Sequence, residues 1–361
     1  MLIMPKLTPV RELVLQNRET FVSAGGFEER VLAMPEILQS CEASGSSALI
    51  LDYLPQYDQN RLQEICFVLN EKGCHVICKK YDLHAPFDFD IELRNTLIKL
   101  NTETVCLDIS GMSRLAIMIV LDVACELNLP LRIVYAEACR YAPSKEEFEA
   151  AKRTEQQHLP TSFIQTGVYD VLHVSRLASI RMQNHATLLI AFDSFNESLC
   201  QALVNVINPS RFILINGRPP RQELRWREQA TAYVHKFLRR EWSIEDDNNP
   251  IKTTSTLHYE ETYDLLVNLY WRFSGSHRII LSPTGSKMQT IGSYLLRSVH
   301  NDVHIEYPTA QGFFTDKYST GVRETWQLVL GRMGDFVEHL RQKEIKEHLG
   351  LPEELTNADV D

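Results

Sequence analysis

The sequence has no apolar run approaching the ~18 residues that cross a bilayer. Its start, MLIMPKLTPVREL, lacks the apolar core of a secretory signal. Neither a membrane-spanning nor a secreted protein is expected, and the chain reads as cytoplasmic. Positive charge is also short: 37 Lys and Arg face 47 Asp and Glu, a net of −10. That balance excludes broad, sequence-independent affinity for nucleic acid and leaves any anionic ligand to a focused pocket. The eight cysteines (41, 66, 74, 78, 106, 125, 139 and 200) fall in apolar strand-like or helix-like contexts. Cys74 and Cys78 lie four apart on one face of an expected strand, with no second Cys/His pair at finger spacing. Reduced structural thiols are therefore expected, with no metal and no cofactor. No Ser/His/Asp or Cys/His arrangement stands out, and no carboxylate pair is fixed by spacing. His173, His277, His300 and His304 read as surface or core residues.

What is present is alternation. Short β-rich runs at 20–25, 48–54, 74–80, 103–110 and 131–138 are separated by helical patterns near 27–42, 57–72, 88–100 and 112–128. This is the signature of a parallel sheet covered on both faces, a doubly wound α/β unit. The second half repeats it. AGGFEER (24–30) aligns with FDSFNES (192–198), LILDYLP (49–55) with ILINGRP (213–219), LDISG (107–111) with LSPTG (281–285), and IVYAEACRYAPSK (133–145) with IEYPTAQGFFTDK (305–317). Four landmarks in the same order indicate an internal duplication. The expected organisation is two tandem doubly wound Rossmann-like units, at 1–143 and 187–331. A connecting helix and strand fill 144–186, and a helix with an acidic tail follows at 332–361. The stretch 320–331 resembles 166–174 and is assigned to the end of the second unit.

In open parallel sheets ligands bind at the carboxyl ends of strands, where connections leave in opposite directions. Here that point lies between the first and fourth strands of each unit. The fourth-strand loops share an inventory. DISGMSR offers Ser110, Gly111, Ser113 and Arg114; SPTGSK offers Thr284, Gly285, Ser286 and Lys287. Glycine permits positive φ or close approach, hydroxyls donate, the following helix N-terminus favours an anion, and the cation completes a phosphate cradle. The same residues also serve ordinary turns and N-caps. SPTGSK lacks the first glycine of a nucleotide-triphosphate loop and has Met288 where the magnesium-binding hydroxyl belongs. In the first-strand loops Gly25, Gly26, Asp193 and Ser194 are the contact candidates, while Glu28 and Glu29 suit a helix first turn.

A separate signal is GRPPRQELRWREQATAYVHKFLRREW (217–242), read as one basic helix. Trp226, Ala230, Tyr233 and Phe237 form an apolar stripe against many arginines. Arg218, Arg221 and Arg225 are its candidates for docking a protein or nucleic-acid partner.

The paired loops, each a hydroxyl/glycine turn ending in Arg114 or Lys287, resemble the CRISPR-associated Rossmann-fold (CARF) sensor domains. Two such units in one chain resemble SAVED domains. The resemblance implies a cyclic oligonucleotide bound between the units in prokaryotic antiviral defence, with Ser110, Gly111, Arg114, Thr284, Gly285 and Lys287 as the matching positions. It also implies a separately encoded effector, since no segment here is large enough to be one. The alternatives are a metal-independent phosphodiesterase in the same pocket, with Lys287 stabilising developing charge, or an adaptor subunit working through 217–242.

Overall fold

Strands buried on both faces have no side to spare for polar residues, so near-continuous apolar runs become parallel strands. The computed structural model describes residues 4–41, 45–153, 165–242, 251–315 and 318–349. The first sheet contains β1 (Thr8–Pro9), β2 (Glu19–Ala24), β3 (Ser47–Leu54), β4 (His75–Asp82), β5 (Thr104–Asp108), β6 (Pro130–Tyr141) and, from far along the chain, β16 (Ser319–Arg332). Their order is β1-β16-β6-β5-β2-β3-β4. The second sheet contains β9 (Ala186–Phe192), β10 (Arg211–Arg218), β11 (Thr253–Ser255), β12 (His277–Ser282) and β13 (His304–Ile305), ordered β11-β10-β9-β12-β13. Two short antiparallel pairs join the connecting segment to the chain after β13. They are β7 (Gln165–Thr166) with β15 (Gly312–Phe313), and β8 (Asp170–Leu172) with β14 (Tyr307–Thr309).

The molecule is thus mixed α/β and Rossmann-like. β2 lies beside β5 and β9 beside β12, both parallel, so each sheet reverses its connections between its first and fourth parallel strands. Helices α1 (Ala33–Ile37), α2 (Leu62–Glu71), α3 (Phe89–Lys99) and α4 (Arg114–Glu126) accompany the first sheet, and α5 (Lys145–Arg153) follows it. Helices α6 (Glu197–Ile207), α7 (Trp226–Val234), α8 (Lys236–Glu241), α9 (Tyr259–Phe273) and α10 (Lys287–Val299) accompany the second, and α11 (Met333–Leu349) closes the described chain.

The near-absence of polar residues in α4 has a packing cause. It lies against its own sheet's core and against α10, so Leu115 through Leu121 are all buried. A helix without a water-facing side has no use for a polar stripe. α10 also presses against α9: a Cβ on Gly292 would stand 2.7 Å from the Tyr259 carbonyl oxygen. One apolar cluster runs through both sheets, including Leu107 and Ile117 of the first and Leu281 and Leu295 of the second. The two helices that begin at Arg114 and Lys287 therefore form the seam between the two sheets.

Four expectations change. The 27–42 pattern yields only a turn of 3-10 helix, Glu29–Val31, and the five-residue α1. The 217–242 segment is not one helix. Its first residues finish β10, Pro219–Pro220 prevent continuation, and α7 and α8 are separated at His235. The stretch 320–331 does not close the second sheet. As β16 it pairs antiparallel with β6, from Ser319 opposite Tyr141 to Arg332 opposite Pro130. Cys74 precedes β4 and is buried, whereas Cys78 is exposed within it, so the two do not share a face. The tail beyond 349 lies outside the described residues. No described helix is long and apolar enough to cross a membrane.

Candidate functional site

The fourth-strand loops are built alike down to the helix start. Ser113 caps α4 by accepting from the Ala116 amide at 3.2 Å. Ser286 caps α10 by accepting from Gln289 at 3.1 Å, and Gln289 Oε1 accepts from the Ser286 amide at 2.7 Å, completing a capping box. The residue that follows each cap is a cation, Arg114 or Lys287, at the first helical position. A cation there opposes the helix dipole, and the first helical amides lack intrahelical acceptors. Each cation finds a hydrogen-bond acceptor across the seam. Arg114 Nε donates to the Gly285 carbonyl, and Lys287 Nζ donates to the Ser110 carbonyl. The exchange is reciprocal.

Around this clasp lies a cavity of about 370 Å³. Gly25, Gly26, Gly111, Ser113 and Arg114 line it from loops of the first sheet, and Asp193, Ser194, Gly285, Ser286 and Lys287 from loops of the second. Burial, reinforced by Arg30 and Arg114, pushes the Lys287 ammonium well below its ordinary pKa; Glu28 and Asp108 only partly compensate. Glu28 is itself committed to Arg30 at 2.8 Å. Its carboxyl is opposed by burial but held below the usual range by Arg30 and Lys287. A third cation, Arg227, also lines the cavity. Its guanidinium donates to the carbonyls of Tyr141, Ala142 and Pro143 at 3.2, 2.9 and 2.9 Å, and burial lowers its pKa to about 10. Among the described residues, Arg114, Lys287 and Arg227 make no ion pair with a carboxylate.

Several of the candidate side chains already have partners within the protein. The Ser110 hydroxyl is fully buried and accepts from the Ala136 amide at 2.9 Å. The Thr284 hydroxyl donates to the Phe192 carbonyl at 2.6 Å and accepts from its amide at 2.9 Å. Neither hydroxyl lines the cavity, because both pin their loops to neighbouring strands. Ser113 and Ser286 spend their hydroxyls on caps, and Ser194 spends its own on Asn196. Asp193 is raised to about 7 by burial, offset by Arg239 at 3.3 Å. None of the loop glycines has positive φ. They are needed for close approach: a Cβ on Gly111 would stand 2.8 Å from Val31 Cγ1 and 2.9 Å from the Ala24 carbonyl oxygen.

The basic segment is largely consumed internally. Arg218 pairs with Glu261, Arg221 with Glu137 and Arg239 with Asp193. Arg225 alone of the three docking candidates stays exposed. His300 contacts Glu344 at 2.6 Å, in keeping with a structural role. His173, His304 and Glu306 bring three ligand atoms within 4.8 Å of one another. Yet His304 Nδ1 accepts from the Ser179 amide at 2.9 Å, so the neutral ring carries its proton on Nε2, which points at Glu306 at 2.8 Å. That tautomer presents no lone pair to an ion.

Sequence reasoning missed Arg227 and the aromatic lining. Phe27, Tyr57, Phe313 and Tyr318 gather on one side of the cavity, with ring centroids 5.1 to 6.3 Å apart. One signal was available: Phe27 and Phe195 hold the same place in the aligned first-strand loops.

No protein-family model matches the chain, and no curated protein matches its sequence. Among solved structures it is similar to a type III CRISPR defence DNA nuclease activated by cyclic oligoadenylate. That likeness has 10% identity and a TM-score of 0.47, covering 84% of this chain and 68% of that one. It also matches the cytoplasmic domain of a prokaryotic cation chloride cotransporter, at 8% identity and a TM-score of 0.24, covering 82% of this chain and 96% of that one. Neither score reaches 0.5, so the functional reading rests on the cavity's own chemistry.

Proposed function

We propose that the chain is a sensor that binds an anionic nucleotide, of the cyclic oligonucleotide class, in the cavity between its two Rossmann-like units, in prokaryotic antiviral defence. One observation carries the nucleotide reading: Arg114, Lys287 and Arg227 border a single cavity, and among the described residues each hydrogen-bonds to backbone carbonyls and forms no ion pair with a carboxylate. Carbonyls satisfy hydrogen bonds without neutralising charge, and a phosphate does both. Two of the cations sit at helix N-termini, which adds to the preference for an anion. The half-exposed rings beside them suit a base. The recurring loop pattern and its resemblance to CARF and SAVED sensors favour the cyclic class and the defence setting, with a separate chain as effector. The clasp gives a route to signalling. Phosphates that displace the two carbonyls release Arg114 and Lys287 from the opposite loops and so alter the seam between α4 and α10.

Titration calorimetry with cyclic and linear oligoadenylates and with mononucleotides tests the reading. Binding by wild type, weakened at least tenfold in Arg114→Ala, is expected; no heat with any of them from folded protein overturns it. The depressed Lys287 favours a second reading, phosphodiester cleavage. A ligand 2′-hydroxyl would give its proton to the neutral Lys287 amine as its oxygen attacks the adjacent phosphorus; the P–O5′ bond breaks, the 5′-oxygen takes up a proton from the Lys287 ammonium, and a 2′,3′-cyclic phosphate remains. Chromatography of the recovered ligand separates the two, since intact ligand after prolonged incubation leaves binding alone.

A further inference from the structure

Phe27 and Phe195 occupy equivalent loops and both line the cavity, but their surroundings differ. Phe195 is only 6% exposed and packs in a small core with Phe148, Ala230 and Val234. The Arg227 guanidinium lies over its ring, 4.5 Å from the centroid, and is also 5.4 Å from the Trp226 ring. Three carbonyls hold that guanidinium in place. The surface on which a base would stack is therefore already covered by a planar cation.

Phe27 has no such cover. It is half-buried and meets Tyr318 edge-on at 5.1 Å, with Tyr57 at 6.1 Å and Phe313 at 6.3 Å. All four rings are half-exposed, and among the described residues no cation stands over any of them. Asn60 lines the same side. Its Oδ1 accepts from the Leu62 amide at 3.1 Å, which assigns the flip and leaves the amide N–H groups for a ligand. Rings able to stack and an amide able to read an edge are what recognition of an unpaired base requires.

We infer that the cavity takes one nucleobase only, against Phe27, Tyr57, Phe313 and Tyr318, while the opposite half, where Arg227 covers Phe195, takes phosphate alone. The duplicated scaffold would then serve an unsymmetrical recognition. This rests on the nucleotide reading above and specifies its ligand: one base and its phosphates carry the affinity, and a second base adds little.

Calorimetry on the full chain tests it with ribose 5-phosphate, adenosine 5′-monophosphate and cyclic di-adenylate. Stacking predicts that the monophosphate binds roughly 5- to 100-fold more tightly than ribose 5-phosphate. Tyr57→Ala should remove that preference and leave ribose 5-phosphate affinity unchanged. Phe313→Leu serves as a second variant, and circular dichroism confirms that each is folded. Trp226→Ala should leave cyclic di-adenylate affinity within about threefold of wild type. Equal binding of the two monophosphates by wild type overturns the inference while sparing the nucleotide reading. So does a loss above about fivefold for cyclic di-adenylate in folded Trp226→Ala. No binding of any of the three overturns both.

Discussion

Replacing Lys287 by Met separates a ligand-binding cation from a structural one. The substitution keeps the apolar stem and removes a charge that burial, Arg30 and Arg114 all disfavour. It also removes one hydrogen bond, to the Ser110 carbonyl, worth about 0.5–1.5 kcal/mol. Exchanging a disfavoured buried charge for an apolar group of similar volume is often neutral or stabilising. The two effects oppose each other, and the net change in folding should lie within about 1 kcal/mol of zero, a Tm shift of no more than about 3 °C. Binding responds differently. A phosphate contact to a charged donor is worth about 1.5–3 kcal/mol, so the Kd should rise about 10- to 150-fold. A second signature follows from the sign of the shift. The folded pKa lies below the unfolded value, and a bound phosphate would raise it again. Between the unliganded and liganded values, ligand binding takes up a proton, and affinity falls as pH rises through that window. Calorimetry in buffers of different ionisation heat reads this uptake directly, and Lys287→Met should abolish it. A Tm loss above about 5 °C with unchanged affinity, or uptake that persists in the variant, would show that Lys287 only ties the loops together.

Gly111→Ala places a Cβ 2.9 Å from the Ala24 carbonyl oxygen, a backbone atom that cannot swing aside. About 1–3 kcal/mol of stability should be lost, read as a lower urea midpoint; an unchanged midpoint contradicts the packing account of this glycine. Burial opposes the Glu344 charge, but His300, Tyr263 and Trp271 outweigh it and hold the carboxyl below its ordinary pKa. Its contribution is therefore present above the ordinary carboxyl range and lost as pH falls through the lowered value. Glu344→Gln should flatten the acid limb of a stability–pH profile by about 1–2 kcal/mol, and an unaltered limb counts against a stabilising role for the Glu344 hydrogen bonds.

The parallel strands were legible because most carry a short apolar run, as in β3, where Ala48 to Leu51 are all buried. The paired loops were legible because a capping serine and a cation recur at the same step of two strand-to-helix turns. β16 was not, since its mixture of exposed and half-buried residues resembles any surface strand and its partner lies some 180 positions back. The arginines of 217–242 misled because composition does not reveal partners: Glu137, Asp193 and the carbonyls of 141–143 come from elsewhere in the chain. The aromatic side of the cavity was hidden for the same reason, as its four rings come from three separated segments. The sequence does not show that the Ser110 and Thr284 hydroxyls bond to neighbouring strands, because a hydroxyl's direction is set by strands that the local sequence does not specify.

The return of β16 into the first sheet affects how the protein is made. As the chain leaves the ribosome, β6 emerges long before the strand that will cover its edge. Until Ser319–Arg332 follows, the edge of β6 that it will cover presents unpaired backbone groups, the kind of open edge that recruits other chains. Synthesis order and completion order are therefore different in this molecule: the unit that begins first is finished last. An N-terminal fragment cut near residue 143 would carry that open edge permanently, whereas the intact chain carries it only while the second unit is being translated.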